Sequence, residues 1–151
     1  MIEYKVVYKQ LTQPLREQIF NLWSTNQIMP FDEMLKRIDQ VVVVAMDGRE
    51  VVGVTSVYVS PFGAEDKLYY YYRMFIKPSH RNRNITRTSP PMSTLTRDFL
   101  ESYNVTPKPH GVVCVLENSK ISDKLMTTLG WNYYGKNSQD LPIWYVDFKK
   151  D

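Results

Sequence analysis

Cysteine is almost absent. The chain carries only Cys114, so no intramolecular disulfide forms and stability must come from packing. His80 and His110 are the two histidines, and with one cysteine at scattered positions they make no zinc set, so no metal is expected. Long apolar runs are missing too. Nothing approaches the roughly 18 residues that a membrane span needs, and Met1-Ile2-Glu3-Tyr4-Lys5 lacks the apolar stretch of a secretory signal. The expectation is a reducing, cytoplasmic setting with no membrane partner. Internal repeats, low-complexity tracts and linkers are also lacking, and residues 1–151 read as a single domain. The 43% hydrophobic and 13% aromatic content is enough to fill the core of such a domain and argues against disorder.

One further absence is local. Between Arg73 and Arg87 there is no Asp or Glu, while Arg73, Lys77, Arg81, Arg83 and Arg87 all fall there together with His80. The net charge is only +3, so positive charge is concentrated in this segment and nearly balanced elsewhere. Five like charges in so short a stretch repel one another, which favours an anionic partner.

The pattern of side chains predicts the elements around it. Residues 2–9 alternate as a strand. Leu15, Ile19, Leu22 and Trp23 recur at helical spacing after Pro14, and a second helix from Pro30 buries Met34, Leu35 and Ile38. Val41–Met46 and Val51–Tyr58 are strands around an Asp47-Gly48 hairpin signal. Leu68–Ile76 is an aromatic strand reached through a Pro61-Phe62-Gly63 turn, and its four consecutive tyrosines divide between the two faces. Ser89 caps a helix whose first turn holds Pro90 and Pro91 and whose buried stripe is Met92, Leu95, Phe99 and Tyr103. Gly111–Leu116 is a strand buried on both faces. Asn118 or Ser119 caps a last helix that runs through Leu129 and stops at Gly130, and Trp131–Gly135 and Ile143–Phe148 are the final strands. This order implies an α/β (α+β) domain on a mixed sheet.

Two local signatures in this order resemble the GNAT superfamily of acyl-CoA-dependent N-acetyltransferases. The first is the apolar-x-Pro step Ile76-Lys77-Pro78 followed by Arg81-Asn82-Arg83-Asn84-Ile85-Thr86, which matches that family's Arg/Gln-x-x-Gly-x-Gly/Ala loop with Asn84 and Thr86 in place of its glycines. The second is Asn118 ahead of a helix closed by Leu129-Gly130-Trp131. The resemblance covers nearly the whole chain. It implies a mostly antiparallel sheet of about seven strands flanked by about four helices.

The resemblance also implies a function and its residues. Acetyl-CoA or another acyl-CoA is the expected co-substrate, bound by Phe75, Ile76, Arg81, Asn82, Arg83, Asn84, Ile85, Thr86, Arg87 and Asn118. A primary amine is the expected acceptor, near Trp23, Asn26, Asp32 and Glu33. Many family members carry a Glu base where this chain has Arg73 and a Tyr acid where it has Met126, so Glu117 and Asn118 are the candidate catalytic residues. Attack by an already neutral amine needs mainly orientation and polarisation of the thioester carbonyl. A protein of the same fold without transfer chemistry is the alternative, one that uses Arg81–Arg87 to hold an acidic protein or a nucleic acid. A homodimer is a further expectation, with Trp144 and Tyr145 at its contact.

Overall fold

A computed structural model describes residues 2–117 and 122–149, and along 81–90 the backbone alone. The chain runs through strand β1 (Ile2–Val6), helices α1 (Gln13–Thr25) and α2 (Phe31–Arg37), and strands β2 (Val41–Asp47), β3 (Glu50–Phe62) and β4 (Lys67–Ile76). Helix α3 (Arg81–Ser102), strand β5 (Gly111–Val115), helix α4 (Asp123–Thr128) and strands β6 (Asn132–Lys136) and β7 (Pro142–Asp147) complete it. The strands form one sheet in the order β1-β2-β3-β4-β5-β7-β6, with β4 and β5 parallel and β1–β2, β2–β3, β5–β7 and β6–β7 antiparallel. The expected fold class, with seven strands and four helices, is the one observed. Among the described residues no helix is long and apolar enough to cross a membrane.

Contacts divide the chain into two compact units. The first comprises residues 1–57 and 73–99. Its core gathers Ile19, Leu22 and Trp23 of α1, Met34 of α2 and Ile38 onto Val41, Val44, Met46, Val51 and Val54, with Phe75 packed against them. These helices form where the spacing predicts them. Thr12 caps α1 by accepting a hydrogen bond from the Leu15 N–H, Pro14 occupies the first turn, and Asn26 closes the helix with its side-chain amide on the Leu22 carbonyl at 2.8 Å. Leu35 departs from the expectation and is 48% exposed. Helix α2 spans only seven residues, Met34 carries its buried side, and Ile38 is buried just past its end.

Helix α3 also departs from the expectation. It begins at Arg81, directly after a 3-10 turn over Pro78–His80, and not at Ser89. Pro90 and Pro91 therefore lie in its interior, where their missing N–H groups leave the carbonyls of Thr86 and Arg87 without helical donors. Met92, Thr96 and Leu100, all fully buried, hold the second half in place, whereas Leu95 is 36% exposed. The stripe was misread because a threonine lies on the buried face. Met92 also lies against Gly53, where a Cβ would come within 3.0 Å of its sulfur.

A relay of polar groups explains Thr96. The register of β2 on β3 shifts between Val41 and Val44, and there the Val43 N–H donates to Thr55 Oγ1 at 3.0 Å. Thr55 Oγ1 lies 2.8 Å from Thr96 Oγ1, and Thr96 donates to the Met92 carbonyl at 2.7 Å. Since Thr96 spends its proton on Met92, Thr55 donates to Thr96, and each member of this buried chain is satisfied.

The second unit comprises residues 58–72 and 100–151. Here β3 continues through Pro61 to Phe62, so of the segment expected to be a turn only Gly63, at φ +83°, opens it, and the Tyr71 hydroxyl donates to the Pro61 carbonyl at 2.7 Å. Gly111 opposes Asp147, and a Cβ there would meet the Val146 carbonyl oxygen at 2.1 Å, so only glycine fits. Ser122 caps α4 by accepting from the Leu125 N–H, and Gly130 follows the helix at φ +89°. The expected caps, Asn118 and Ser119, lie outside the described residues.

Replacing Thr55 with Val keeps the shape but orphans the buried Val43 N–H. The expected loss is about 1–3 kcal/mol in denaturant unfolding, and an unchanged midpoint would contradict the relay.

Candidate functional site

The site is built from the end of β4 onward. Phe75 packs on the first unit's core and Ile76 is 4% exposed, so the strand arrives firmly anchored. The Lys77 N–H then donates to the Val52 carbonyl at 2.7 Å and the His80 N–H to the Lys77 carbonyl at 2.8 Å, which closes the 3-10 turn. From Arg81 the backbone is helical. Arg81, Asn82, Arg83 and Asn84 thus form the first turn of a 22-residue helix, where backbone N–H groups have no intrahelical acceptor. No acidic residue lies in this turn. Because the prolines sit further along, these N–H donors are intact, and the arrangement is chemically suited to an anion. The side chains of Arg81, Asn82, Arg83, Asn84, Ile85, Thr86 and Arg87 lie outside what the structure describes.

Arg73, three residues before Ile76 in β4, faces α2. Its guanidinium lies 3.9 Å from the Glu33 carboxylate, which also accepts from Arg37 at 3.2 Å. The sequence places Glu33 among the acceptor residues and Arg73 where a base is expected, and the fold brings the two together. Glu33 is thus held between two guanidiniums, those of Arg37 and Arg73. Asp32, beside it in the first turn of α2, is exposed. Trp23 is 2% exposed within the core, and Asn26 caps α1.

Asn26 also lines a small cleft of about 140 Å³ in the first unit, with Gln18, Asn21, Thr25, Glu50 and Lys77. Gln18 Oε1 accepts from the Val51 N–H at 3.0 Å, and Lys77 Nζ is paired with Glu50. Leu22 and Val51 complete its lining, and the side-chain amides of Gln18 and Asn26 are committed to the backbone.

In the second unit, Glu117 is exposed just beyond β5, and Asn118 lies outside the described residues. Met126 is 5% exposed in α4, and its thioether has no proton to give. The tyrosine run of β4 divides as its pleat requires. Tyr70 packs toward Phe148 and Tyr72 toward Trp131, while Tyr69 and Tyr71 join Phe62, Tyr58, Tyr134 and Tyr145 on the other face. Burial, then the hydrogen bond to Asp147, raises the Tyr69 phenol, and burial with neighbouring Tyr58 and Tyr134 raises Tyr71. Both phenols stay protonated at neutral pH. Trp144, expected at a dimer contact, is 3% exposed, while Tyr145 is half-buried in the aromatic cluster.

Sequence reasoning missed one polar assembly entirely. His80 Nδ1 lies 2.8 Å from Ser79 Oγ, and its Nε2 lies 2.9 Å from Asp47 Oδ2. Asp47 is 33 residues away in sequence, and no local signal joins it to His80. The hydrogen bond from His80 is the main cause that holds the Asp47 carboxyl below its ordinary value.

Among the described residues no group of three or more His, Cys, Asp or Glu side chains is placed to hold a metal ion. Cys114 is buried in β5, and burial pushes its thiol from 9.0 up to about 12. The folded thiol stays protonated, and between about pH 9 and 12 its ionisation favours the unfolded chain. Labelling by a thiol reagent at pH 8 is expected to proceed no faster than the chain opens, and rapid labelling of the folded protein would contradict the burial.

The comparisons with known proteins agree with this architecture. No family model and no curated protein matches the sequence. Solved structures do match. The acetyltransferase of GNAT family from Streptococcus pneumoniae aligns at a TM-score of 0.62 and 7% identity, over 97% of this chain and 99% of that one. An acetyltransferase of the same family from Bacillus cereus aligns at 0.62 and 12%, over 99% of each chain. The N-acetyltransferase PseH of Campylobacter jejuni, in complex with acetyl coenzyme A, aligns at 0.58 and 14%, over 99% of this chain and all of that one. At such identities the likeness establishes the architecture, and this chain has the GNAT fold.

Proposed function

We propose that the protein is an N-acyltransferase that moves an acyl group from acetyl-CoA or another acyl-CoA to a primary amine. The observation that carries this reading is the start of α3. Arg81, Arg83 and Arg87 occupy the first two turns of a helix, the end at which the dipole disfavours cations by about 0.3–1 kcal/mol each. A bound pyrophosphate removes that conflict, since it accepts from the first-turn N–H groups and draws bidentate contacts from arginine. Phosphate bound at the first-turn amides of residues 81–84 fits the donor set, with no carboxylate in the turn to compete.

The remaining roles follow from chemistry. Phe75 and Ile76, at the end of β4, serve the pantetheine arm. Asn118 serves the same ligand. The amine nitrogen attacks the thioester carbonyl, a C–N bond forms as the C–S bond breaks, and the proton lost by nitrogen is taken up as the thiolate leaves. Arg73 cannot accept that proton and Met126 cannot supply one. Glu117, exposed past β5, is the carboxylate available to receive it. Loss of the usual acid and base forfeits about 10²–10⁴-fold, whereas orientation of a neutral amine retains the larger share of the acceleration. Asn26, Asp32 and Glu33 are the polar groups offered to the acceptor, and Trp23 supports them from the core. A homodimer and a cytoplasmic setting accompany this reading.

Replacing Arg81 and Arg83 together with Ala is expected to weaken CoA binding in calorimetry by at least about tenfold and to flatten its salt dependence. A wild-type protein that gives no heat with CoA, yet binds nucleic acid with a steep salt slope lost in the double variant, would replace the transferase reading with that of a binding module.

A further inference from the structure

The junction between β4 and α3 carries more polar fastening than a strand-to-helix connection needs. Asp47 and Glu50 flank the two-residue turn of the β2–β3 hairpin and oppose each other in the ladder. From them, two links reach the next connection. Asp47 meets His80 at 2.9 Å, and Glu50 pairs with Lys77. Ser79 Oγ completes the assembly on the far side of the imidazole at 2.8 Å. A neutral imidazole satisfies all three groups, with Nε2–H donating to the Asp47 carboxylate and Nδ1 accepting from the Ser79 hydroxyl. The His80 side chain is only 17% exposed, so its ring is held in place.

A serine, a histidine and an aspartate in line invite a nucleophilic role, but the surroundings do not support it. Ser79 is exposed, and the cleft described above is lined by neither Ser79 nor His80. What the links do reach is the residue immediately before α3. The first turns of that helix are intrinsically weak. They carry three arginines at the wrong end of the dipole, and the prolines at 90 and 91 withdraw two hydrogen bonds behind them.

We infer that Asp47–His80–Ser79, with Glu50–Lys77, is a clamp that fixes the start of α3 on the β2–β3 hairpin, and that His80 is a positioning residue for the phosphate-binding amides. This rests on the acyl-CoA reading. The clamp acts before ligand arrives: amides already fixed in the binding geometry spare the ligand the cost of ordering them.

The experiment compares the wild type with His80→Ala, His80→Gln, Asp47→Ala and the double variant that combines His80→Ala with Asp47→Ala. Hydrogen exchange without ligand reads the clamp directly. The amides of 81–89 are expected to exchange about tenfold faster in His80→Ala and Asp47→Ala, with exchange in β2 and α1 unchanged. Calorimetry then reads the consequence: CoA binds about tenfold more weakly to both variants, and the double variant is no worse than either single one. Binding of pantetheine, which lacks the pyrophosphate, is unaffected, and His80→Gln, whose amide still donates to Asp47, recovers most of the loss. Unchanged exchange at 81–89 in His80→Ala overturns the clamp. Equal CoA affinity in wild type and His80→Ala overturns its role in binding while leaving the acyl-CoA reading intact. A wild type that binds no CoA overturns that reading and the inference with it.

Discussion

A helix that begins where the charge is most concentrated is the constraint on which the rest depends. The first turn of α3 brings unsatisfied N–H groups to the same place as Arg81 and Arg83, and the dipole adds positive potential of its own. Alone, that arrangement is self-repelling. The chain tolerates it because the second half of α3 is sunk into the core through Met92, Thr96 and Leu100, and because Lys77 and His80 tie the preceding turn to the neighbouring hairpin. The geometry that costs the free protein stability is also the one to which the proposed function assigns the polyanion.

The residues that would ordinarily handle protons have been put to other uses. Arg73 shares Glu33 with Arg37, and Met126 is a packing residue in α4. Under the proposed acyltransferase function, catalysis relies on placement of donor and acceptor more than on proton transfer and suits an amine that arrives already neutral. The cleft at the end of α1 is small, and its amides serve the helix and the strand backbone.

Much of the fold was legible because its signals are local. Pro14 and the Ile19, Leu22, Trp23 spacing announce α1, Asp47-Gly48 announces the hairpin with Gly48 at φ +63°, and the unbroken apolar run from Gly111 announces a strand buried on both faces. The failures share a cause. Pro90 and Pro91 read as the first turn of a helix, yet burial of Met92, Thr96 and Leu100 holds the helix through them. Thr96 did not read as core, because its partners Thr55 and Met92 become visible only once the strand and the helix are packed. Pro61 and Phe62 read as a turn, yet Phe62 extends β3 among the rings of Tyr69, Tyr134 and Tyr145. The candidate site follows the same division. The arginine run was visible in sequence, whereas Glu33 on Arg73 and Asp47 on His80 join residues far apart in the chain.

The central claim is that the opening amides of α3 hold a pyrophosphate, and backbone amide chemical shifts of the isotope-labelled wild-type protein read them one by one. Titration with CoA should move the amides of residues 81–86 and saturate, while pantetheine should leave them in place. Saturable shifts confined to other residues, or none at millimolar CoA with the fold intact, would contradict it.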